Sequence, residues 1–442
     1  MSHILITFLG KVSKDGGRYE EVSYRFDNGQ TYTKSFFGLA LLEHLQNSDT
    51  KPDKLVVLGT TGSMWDAFFE VDEELMEKHE DDYYDLSEII EYNADNPPTD
   101  GQAEKLKPYF TLLEEELTQY LKIPCEFRII PYGRFPEEQT EILKIMADCV
   151  TEHDKVTLDI THGLRHLPML VVLSAMYLKV VKTVEVAGIY YGAKDMRHLE
   201  ETKEAPALDL SGLLQIAEWV KALNSFEKDG DYGVFSELLE ADGLTKKQTK
   251  HITNAAFLER IFNVPQSARK LADFHEKMPT KLPGISSLFD DTLKDRTSWH
   301  TLGNLYVQQR HLAESALNQK EYYRASVLAV EAFITRLCQL RFKKDVHTYQ
   351  ERFTAEQLFL NPNTEELKIR GQWVTITEEE RQAFRTAIQT HYGKRSEFRL
   401  LKKLRNTMAH SNTPEGHEVI EAMQSASNLE LKLRNLMAHL FE

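Results

Sequence analysis

The fold class is indicated most clearly by residues 155–192, KVTLDITHGLRHLPMLVVLSAMYLKVVKTVEVAGIYYG. It opens with an apolar run at 155–160, continues with a helical pattern at 164–181 and returns to an apolar run at 184–191. A strand, a helix and a second strand in this order imply a crossover between parallel strands. The stretch therefore predicts a βαβ unit of a doubly wound α/β sheet.

The same alternation fills the rest of the first half of the chain. Further apolar runs lie at 4–9, 54–59 and 126–130, and helical patterns lie at 38–46, 103–121 and 137–150. Strands that alternate with helices form parallel sheets covered on both faces. We therefore expect a Rossmann-like parallel sheet domain over residues 1–205.

Small and hydroxyl-bearing residues follow these predicted strands, at Gly10, GTTGS (59–63), THG (161–163) and YYG (190–192). The carboxyl ends of parallel strands meet at one edge, where open α/β folds bind ligands. Backbone N–H groups at helix starts favour anions, and hydroxyl groups can bond to phosphate or ribose. Turn formation and helix capping alone would also place such residues in these loops.

Two of these loops carry more information than the others. The loop GTTGSMWD (59–66) lacks the Lys of a P-loop and is not GxGxxG, so neither ATP hydrolysis nor NAD binding is favoured. In DITHGLRHLP (159–168), Thr161 and His162 end a strand, and Arg165 falls in the first helical turn. This arrangement suits a phosphate or a nucleotide, with capping or packing as the alternative role for His162.

The second half of the sequence is predicted to be all-α. The polar stretch 197–212 reads as a boundary, with a helical linker region over 206–300 and a helical domain over 301–442. Within these regions the pattern predicts a helix at 213–226, two helices in 304–342 broken near 319–321, and a helix at 377–393. Residues 345–380 are polar and are predicted to be a loop with short structure, and no strand is expected after residue 212.

The octamer KLRNTMAH (403–410) returns near the end of the chain as KLRNLMAH (432–439). On a helix, Asn406 and His410 share a face and Arg405 lies on its edge. His can act as a general acid or base, and Arg can stabilise the charge on a phosphoryl group in transfer. These groups suit metal-independent RNA cleavage by the ribose 2′-OH, with two copies meeting across a dimer axis. Plain surface positions are the alternative reading of so short a motif.

The surroundings of the two octamers favour the first as the catalytic copy. It follows a basic run with the candidate RNA-binding residues Arg395, Arg399, Lys402 and Lys403, and it precedes a turn cluster at 411–416. The second octamer places four apolar residues at helical spacing, namely Leu433, Leu436, Met437 and Leu440. Such a stripe is typical of core or dimer packing.

Composition excludes several classes of protein. A net charge of -16 argues against a protein that coats nucleic acid along its whole surface. Cys125, Cys149 and Cys338 are scattered, which predicts packing residues rather than a disulfide framework or a zinc site. The apolar run at 168–181 contains a Lys and is too short to span a membrane, so a cytoplasmic protein is expected. We expect no metal and no cofactor.

Five stretches together resemble the Csx/Csm-type CRISPR-associated proteins, which join a CARF domain to a HEPN domain. These stretches are ITFLG (6–10), GTTGSMWD (59–66), DITHGLRHLPM (159–169), IYYGA (189–193) and RNTMAH (405–410). The resemblance implies a dimeric ribonuclease of type III CRISPR antiviral defence. Its CARF domain would sense a cyclic oligoadenylate, and its HEPN domain would cut single-stranded RNA without a metal.

The same resemblance implies roles for individual residues. The catalytic residues would be Arg405, Asn406 and His410. The cyclic oligoadenylate would contact Gly10, Thr60, Thr61, Gly62, Ser63, Met64, Trp65, Thr161, His162, Gly163, Arg165, Tyr191 and Gly192. The sequence departs from the family pattern in a polar insertion at 13–26 and in the second octamer.

Three alternatives stay open from the sequence. The first is a non-catalytic regulator that senses a nucleotide and binds RNA or a protein partner through its helical domain. The second, a metal-dependent hydrolase, is weaker because no HExxH or carboxylate cluster is present. The third is that the sheet domain also degrades its own ligand.

Overall fold

The computed structural model describes residues 1–12, 14–15, 18–48, 50–344, 348–410 and 413–442. Within these residues the chain divides into two compact units, Met1–Gln215 and Ile216–Glu442. We call them the sheet unit and the helical unit. The expected fold class, a Rossmann-like sheet domain followed by a helical region, is confirmed. The domain limits expected at 205/206 and 300/301 stay predictions.

The strands of the sheet unit include all five that the sequence predicts. They are β1 (His3–Leu9), β2 (Lys14–Asp15), β3 (Arg18–Tyr19), β4 (Val22–Arg25), β5 (Thr31–Lys34), β6 (Lys54–Gly59), β7 (Cys125–Ile129), β8 (Lys155–Asp159), β9 (Glu185–Gly192) and β10 (Ala205–Asp209). Among the described residues, eight of them form one sheet in the order β5-β4-β10-β9-β8-β1-β6-β7. The strands from β9 to β7 in this order pair in parallel.

Helices cover both faces of this sheet. They are α1 (Phe37–Gln46), α2 (Glu73–Lys78), α3 (Glu80–Asp95), α4 (Asp100–Leu121), α5 (Pro136–Asp148) and α6 (Leu167–Val181). Alternate residues of β1 divide between two cores, with Leu5 and Leu9 packing against α1, α3 and α4, and Ile6 and Phe8 against α5 and α6. Every residue of β1 is therefore buried, which explains its continuous apolar run.

One side of the sheet differs from the prediction. The expected polar insertion at 13–26 contains β4, and the stretch 197–212 that reads as a boundary contains β10. β10 pairs antiparallel with β9 and parallel with β4, so the sheet is mixed rather than purely parallel. These strands lie toward one edge and are only partly covered, so their sequences lack the apolar run of a central strand. Ser13, Gly16 and Gly17 of the insertion lie outside the described residues.

The chain order of the sheet creates a crevice at its centre. From β1 the strands β6 and β7 follow on one side, whereas β8 and β9 lie on the other side. The direction of winding therefore reverses between β1 and β8. In open α/β sheets the loops that follow two such strands diverge, and ligands bind between them.

The helical unit packs around a single core that runs from Trp219 to Phe441. The chain enters it through α7 (Gly212–Asp229). The remaining elements are α8 (Ser236–Ala241), α9 (Lys246–Arg260), α10 (Val264–Lys277), α11 (Asp290–Thr297), α12 (Leu305–Asn318), α13 (Tyr322–Phe342), α14 (Tyr349–Leu360), β11 (Glu366–Ile369), β12 (Gln372–Thr375), α15 (Glu378–Ala387), α16 (Arg395–His410), α17 (His417–Met423) and α18 (Ala426–Phe441). The predicted break at 319–321 separates α12 from α13, as expected.

Residues 345–380 are more ordered than the sequence analysis predicts. They contain α14, which starts with a capping box between Thr348 and Glu351, and the antiparallel hairpin β11–β12. The short structure expected here is present, whereas the expectation of no strand after residue 212 is wrong. The polar character of this segment is explained by the hairpin, which packs only one face against the core. Residues 345–347 lie outside the described residues.

Both octamers are helical, as predicted. The first lies at the end of α16 and the second lies within α18. Of the turn cluster expected at 411–416, Ser411 and Asn412 lie outside the described residues. In the described part of the chain, none of the helices combines the length and apolar character that a membrane crossing requires.

Candidate functional site

The loops after β1 and β8 are in backbone contact at the crevice of the sheet unit. A Cβ atom on Gly10 would lie 2.3 Å from the backbone nitrogen of Gly163, so a side chain at residue 10 would push the loops apart. Gly163 itself has a φ of +117°, which an L-residue with a side chain rarely adopts. Both glycines are therefore required by geometry.

Asp159 and Thr161 tie three strands together at this edge. The Thr7 hydroxyl donates to one carboxylate oxygen of Asp159 at 2.5 Å, and the Thr161 N–H donates to the other at 2.8 Å. The Gly192 N–H in turn donates to the Thr161 hydroxyl at 2.7 Å. Burial raises the pKa of the Asp159 carboxyl to about 6. These hydrogen bonds to residues of β1, β8 and β9 therefore fix the start of the loop at Thr161.

His162 stabilises the start of α1. Its Nε2 accepts a hydrogen bond from the Phe37 N–H at 3.2 Å, and its ring lies 5.2 Å from that of Phe36. Burial, together with the positive charge of Lys194, lowers the pKa of His162 to about 4. The imidazole is therefore neutral near pH 7, as an acceptor must be. The capping role, which the sequence leaves open, is the one that the structure describes.

The loop from Thr60 to Trp65 is buried and bonded to itself. The Thr60 N–H donates to the Ser63 hydroxyl at 2.9 Å, and the Trp65 indole N–H donates to the Thr60 carbonyl at 2.9 Å. The six residues predicted to contact the ligand here are Thr60, Thr61, Gly62, Ser63, Met64 and Trp65, and all of them are buried. In this structure they shape the edge of the sheet and offer no exposed side chain to a ligand.

The exposed groups of the site come from the next loop and from the end of β9. Gly163 and Arg165 are exposed, Tyr191 is partly buried and Gly192 is buried. His166 donates from Nε2 to the Tyr132 carbonyl at 2.8 Å, which holds the loop against its neighbour after β7.

Sequence reasoning missed two further cations at this edge, Lys194 and Arg197. Both bind the carboxylate of Glu20, at 2.8 Å and 3.0 Å. Their signal in the sequence is the basic stretch directly after YYG at 190–192. The charge of Lys194 also acts on His162, and the Glu20 carboxylate offsets part of the charge of the two cations.

In the helical unit, the first octamer lines an open cavity of about 620 Å³. Its lining consists of Leu360, Arg399, Lys402, Lys403, Asn406, Thr407, Thr413 and Glu415. Three of the four predicted RNA-binding cations thus lie beside the predicted catalytic Asn406. One face of α16 therefore brings together cations and an amide group around a space open to solvent.

The cationic side chains on this face of α16 differ in their bonding partners. Lys402 forms an ion pair with Glu356, and Arg399 donates to the Leu360 carbonyl at 2.8 Å. Arg395 donates to the Phe359 carbonyl at 2.6 Å and stacks 4.2 Å from the Tyr392 ring centroid, and it is not among the lining residues. Of the three cations that line the cavity, Arg399 and Lys403 therefore form no ion pair with a carboxylate among the described residues.

Arg405 and His410 complete the first octamer. Arg405 is partly buried, and its Nε is a buried donor that finds no hydrogen-bond acceptor among the described residues. Leaving such a donor unpaired costs roughly 1–3 kcal/mol. His410 is exposed at the last position of α16, one helical turn beyond Asn406. Arg405 and His410 are not among the residues that line the cavity, so of the three predicted catalytic residues the structure places Asn406 there.

The second octamer is bound into the fold. Its apolar stripe, Leu433, Leu436, Met437 and Leu440, is buried, which confirms the predicted packing role. The Arg434 guanidinium donates to Glu430 and Asn318, both at 2.8 Å. His439 lies 3.6 Å from the Glu397 carboxylate on α16. This copy therefore supports the helix that carries the first one.

The three cysteines, Cys125, Cys149 and Cys338, are free and buried, as packing residues should be. Among the residues that the structure describes, no three His, Cys, Asp or Glu side chains gather closely enough to hold a metal ion.

The fold and the crevice define a Rossmann-like α/β domain of the ligand-binding type, joined to a helical unit. Residues 4–195 match the family described as CRISPR system endoribonuclease Csx1, CARF domain. The sheet unit therefore resembles a CARF domain over almost its whole length.

One curated relative and one solved structure extend the comparison. The CRISPR-associated protein MJ1674 of Methanocaldococcus jannaschii is 24% identical over 425 residues, which cover 89% of this chain. The matching part spans only 59% of that relative's length. The structure of Enterococcus italicus Csm6 bound to cyclic hexa-2'-fluoro-hexa-dAMP covers 100% of this chain and 94% of its own, at 10% identity and a TM-score of 0.40.

Proposed function

We propose that this protein is a cytoplasmic endoribonuclease of type III CRISPR defence that a cyclic oligoadenylate activates and that cuts single-stranded RNA without a metal ion. The observation that carries the proposal is the face of α16. There Asn406 lines a cavity with Arg399 and Lys403, one turn from the exposed His410. A CARF domain in the same chain supplies the ligand-sensing part.

The chemistry assigned to this face needs an acid/base group and a cation. The ribose 2′-OH attacks the adjacent phosphorus, a 2′-O–P bond forms and the P–O5′ bond breaks, which leaves a 2′,3′-cyclic phosphate and a 5′-OH. His410 transfers a proton in this reaction, and Asn406 positions the phosphate. Arg405 donates to the phosphate oxygens, which would also satisfy its unpaired Nε.

A second copy of the chain would complete both sites. Helix α6, which follows the loop at Thr161, exposes an apolar stripe with a spacing of four residues: Met169, Leu173 and Tyr177. An exposed stripe of this kind fits a self-complementary contact about a two-fold axis. The two crevices would then face one symmetric ligand, and two His410 side chains would serve one scissile phosphate.

Size-exclusion chromatography with light scattering tests the dimer. Leu173→Glu places a charge in the stripe and should give a monomer. Leu288→Glu, at an equally exposed leucine of the helical unit, should leave the dimer intact. A dimeric Leu173→Glu protein would rule out α6 as the contact.

For the activating ligand we propose an anionic cyclic oligoadenylate at the crevice between β1 and β8. The support comes from the N–H groups at the start of α6, the exposed Arg165 and the charge of Lys194. Thr161 and His162 hold the loop that would contact the ligand. The bottom of the crevice would be formed by Gly10, Gly163, Tyr191 and Gly192.

Cleavage of a fluorescent RNA in EDTA, with a panel of cyclic oligoadenylates, tests the function as a whole. We expect cleavage that one ring size stimulates, and that Arg165→Ala desensitises by 10-fold or more, roughly the loss of one charged hydrogen bond. Arg134→Ala, at an exposed arginine near the start of α5, should respond like the wild type. Activity that EDTA abolishes would reject the metal-free mechanism.

The alternative is a non-catalytic regulator whose helical unit binds RNA or a protein without cutting. The ion pair between Lys402 and Glu356, which offsets part of the charge at the cavity, is the observation that favours it. RNA binding without cleavage at any ring size would establish this alternative.

A further inference from the structure

The hairpin β11–β12 presents a cationic and aromatic face to solvent. Its inner face is anchored in the core of the helical unit by Leu367 and Ile369, which are buried. On its outer face Lys368 pairs directly across the strands with Trp373. Trp373 is 68% exposed, whereas the other three tryptophans of the chain are buried. The buried inner face of the hairpin therefore fixes the position of the exposed Trp373 indole.

The turn of this hairpin keeps an arginine where its backbone disfavours one. Arg370 and Gly371 have φ values of +50° and +86°, the pattern of a type I′ turn. Asn or Gly is preferred at the first of these positions, because a left-handed conformation is strained for residues with longer side chains.

The side chain of Arg370 has an aromatic partner on a neighbouring helix. Its guanidinium lies 5.0 Å from the ring centroid of Tyr349, at the start of α14, and Tyr349 is 53% exposed. The hairpin and the start of α14 thus offer two exposed aromatic rings, Trp373 and Tyr349, and each ring has a cation beside it. Proteins bind single-stranded nucleic acid with this combination, because aromatic rings stack on bases and cations attract phosphates.

Helix α14 connects this surface to the proposed cleavage site. Tyr349 begins the helix and Leu360, which ends it, lines the cavity beside Asn406. The helix between them spans about 17 Å, at 1.5 Å per residue. A single strand of a few nucleotides covers this distance.

We propose that Trp373 and Tyr349, with Lys368 and Arg370, form a stacking platform that holds single-stranded RNA a few nucleotides from the scissile phosphate. The inference rests on the proposed ribonuclease function and adds a substrate-binding surface to it. Trp, Tyr and Arg are also common at protein interfaces. The hairpin carries two cations, Lys368 and Arg370, whereas its two strands contain one acidic residue, Glu366. This excess of positive charge favours an anionic RNA strand over a protein surface.

Steady-state cleavage by the full-length protein tests the platform. Trp373→Ala should raise KM for a long single-stranded RNA by about 5- to 100-fold, the range that one stacked base contributes, with kcat unchanged. Trp373→Phe should restore most of the affinity, because the stacking ring is retained. For an oligonucleotide too short to reach from the cavity to the hairpin, Trp373→Ala should leave KM unchanged. The matched control is Phe257→Ala, at an exposed aromatic residue elsewhere in the helical unit.

A binding measurement separates this inference from the proposed catalysis. In the His410→Ala variant, single-stranded RNA should change the fluorescence of Trp373 and protect it from iodide quenching, whether or not the wild type cuts RNA. Unchanged fluorescence together with a wild-type KM for Trp373→Ala would overturn the platform. So would a Trp373→Ala variant that changes oligomeric state while its RNA affinity is retained, since that outcome identifies a protein contact.

Discussion

The octamers KLRNTMAH (403–410) and KLRNLMAH (432–439) differ at a single position, yet the fold gives them different surroundings. Both are helical, and both bury the leucine at their second position, Leu404 and Leu433, completely. Asn406 of the first lines an open cavity together with three cationic side chains, whereas Arg434 of the second is bound to Glu430 and Asn318. Two nearly identical octamers therefore have different neighbours in the fold.

The largest expected effect separates the two histidines. We expect His410→Ala to lower the rate of activated RNA cleavage by about 100-fold or more, the range for loss of a general acid or base. His439→Ala should stay within about twofold of the wild type in rate. Its exposed ion pair with Glu397 contributes little stability, since such pairs are worth about 0–1 kcal/mol.

Initial rates in EDTA measure this contrast, with circular dichroism as the control for folding. Equal losses in the two variants would mean that both octamers take part in the reaction. A larger loss in His439→Ala would reverse the assignment.

A reciprocal exchange at the one differing position is the next test. Leu436→Thr gives the second octamer the sequence of the first and removes buried apolar volume, so we expect a loss of about 2 kcal/mol in the free energy of unfolding. Thr407→Leu enlarges a side chain that lines the cavity, and we expect a loss of about 1 kcal/mol. Denaturant unfolding measures both values.

The activity of the exchanged proteins sharpens the comparison. The double variant of His410→Ala with Leu436→Thr contains a complete KLRNTMAH at 432–439, and we expect it to remain inactive. Recovered cleavage in this protein would show that the octamer sequence is sufficient and that its surroundings are not decisive.

The smallest expected effect concerns the lysine that begins each octamer. Lys403 lines the cavity, whereas Lys432 is bound to Glu418 at 2.9 Å. Lys403→Ala should weaken RNA binding several-fold and reduce the slope of log affinity against log salt by about 0.7, the loss of one contact with a single strand. Lys432→Ala should change neither quantity. RNA titrations at several salt concentrations measure both, and an equal response of the two variants would contradict the comparison.

Much of the fold was predictable because the central strands of the sheet are buried on both faces. Their apolar runs identify β1, β6, β7, β8 and β9 directly. The strands β4 and β10 were missed because they lie in the outer part of the sheet, where a half-covered strand leaves a weaker pattern. The hairpin β11–β12 was missed for the same reason.

The candidate sites were predictable only in part. Helical spacing correctly places Asn406 one turn from His410, because that relation is local. The roles of His162 and Lys402 depend on Phe37 and Glu356, which are 125 and 46 residues away along the chain. No local pattern indicates such partners.

The central strands of the sheet, the helices between them, the crevice loops and the helical form of both octamers could be read from the sequence. These follow from periodicity and turn residues, which act over a few neighbouring positions. The three-dimensional packing was needed to show that Thr60 to Trp65 are buried and that Arg395 stacks on Tyr392. It was also needed to show that the first octamer lines a cavity while Arg434 of the second is bonded to Glu430 and Asn318. The physical reason is that burial and charge pairing depend on which distant segments pack together, and two nearly identical octamers therefore acquire different surroundings.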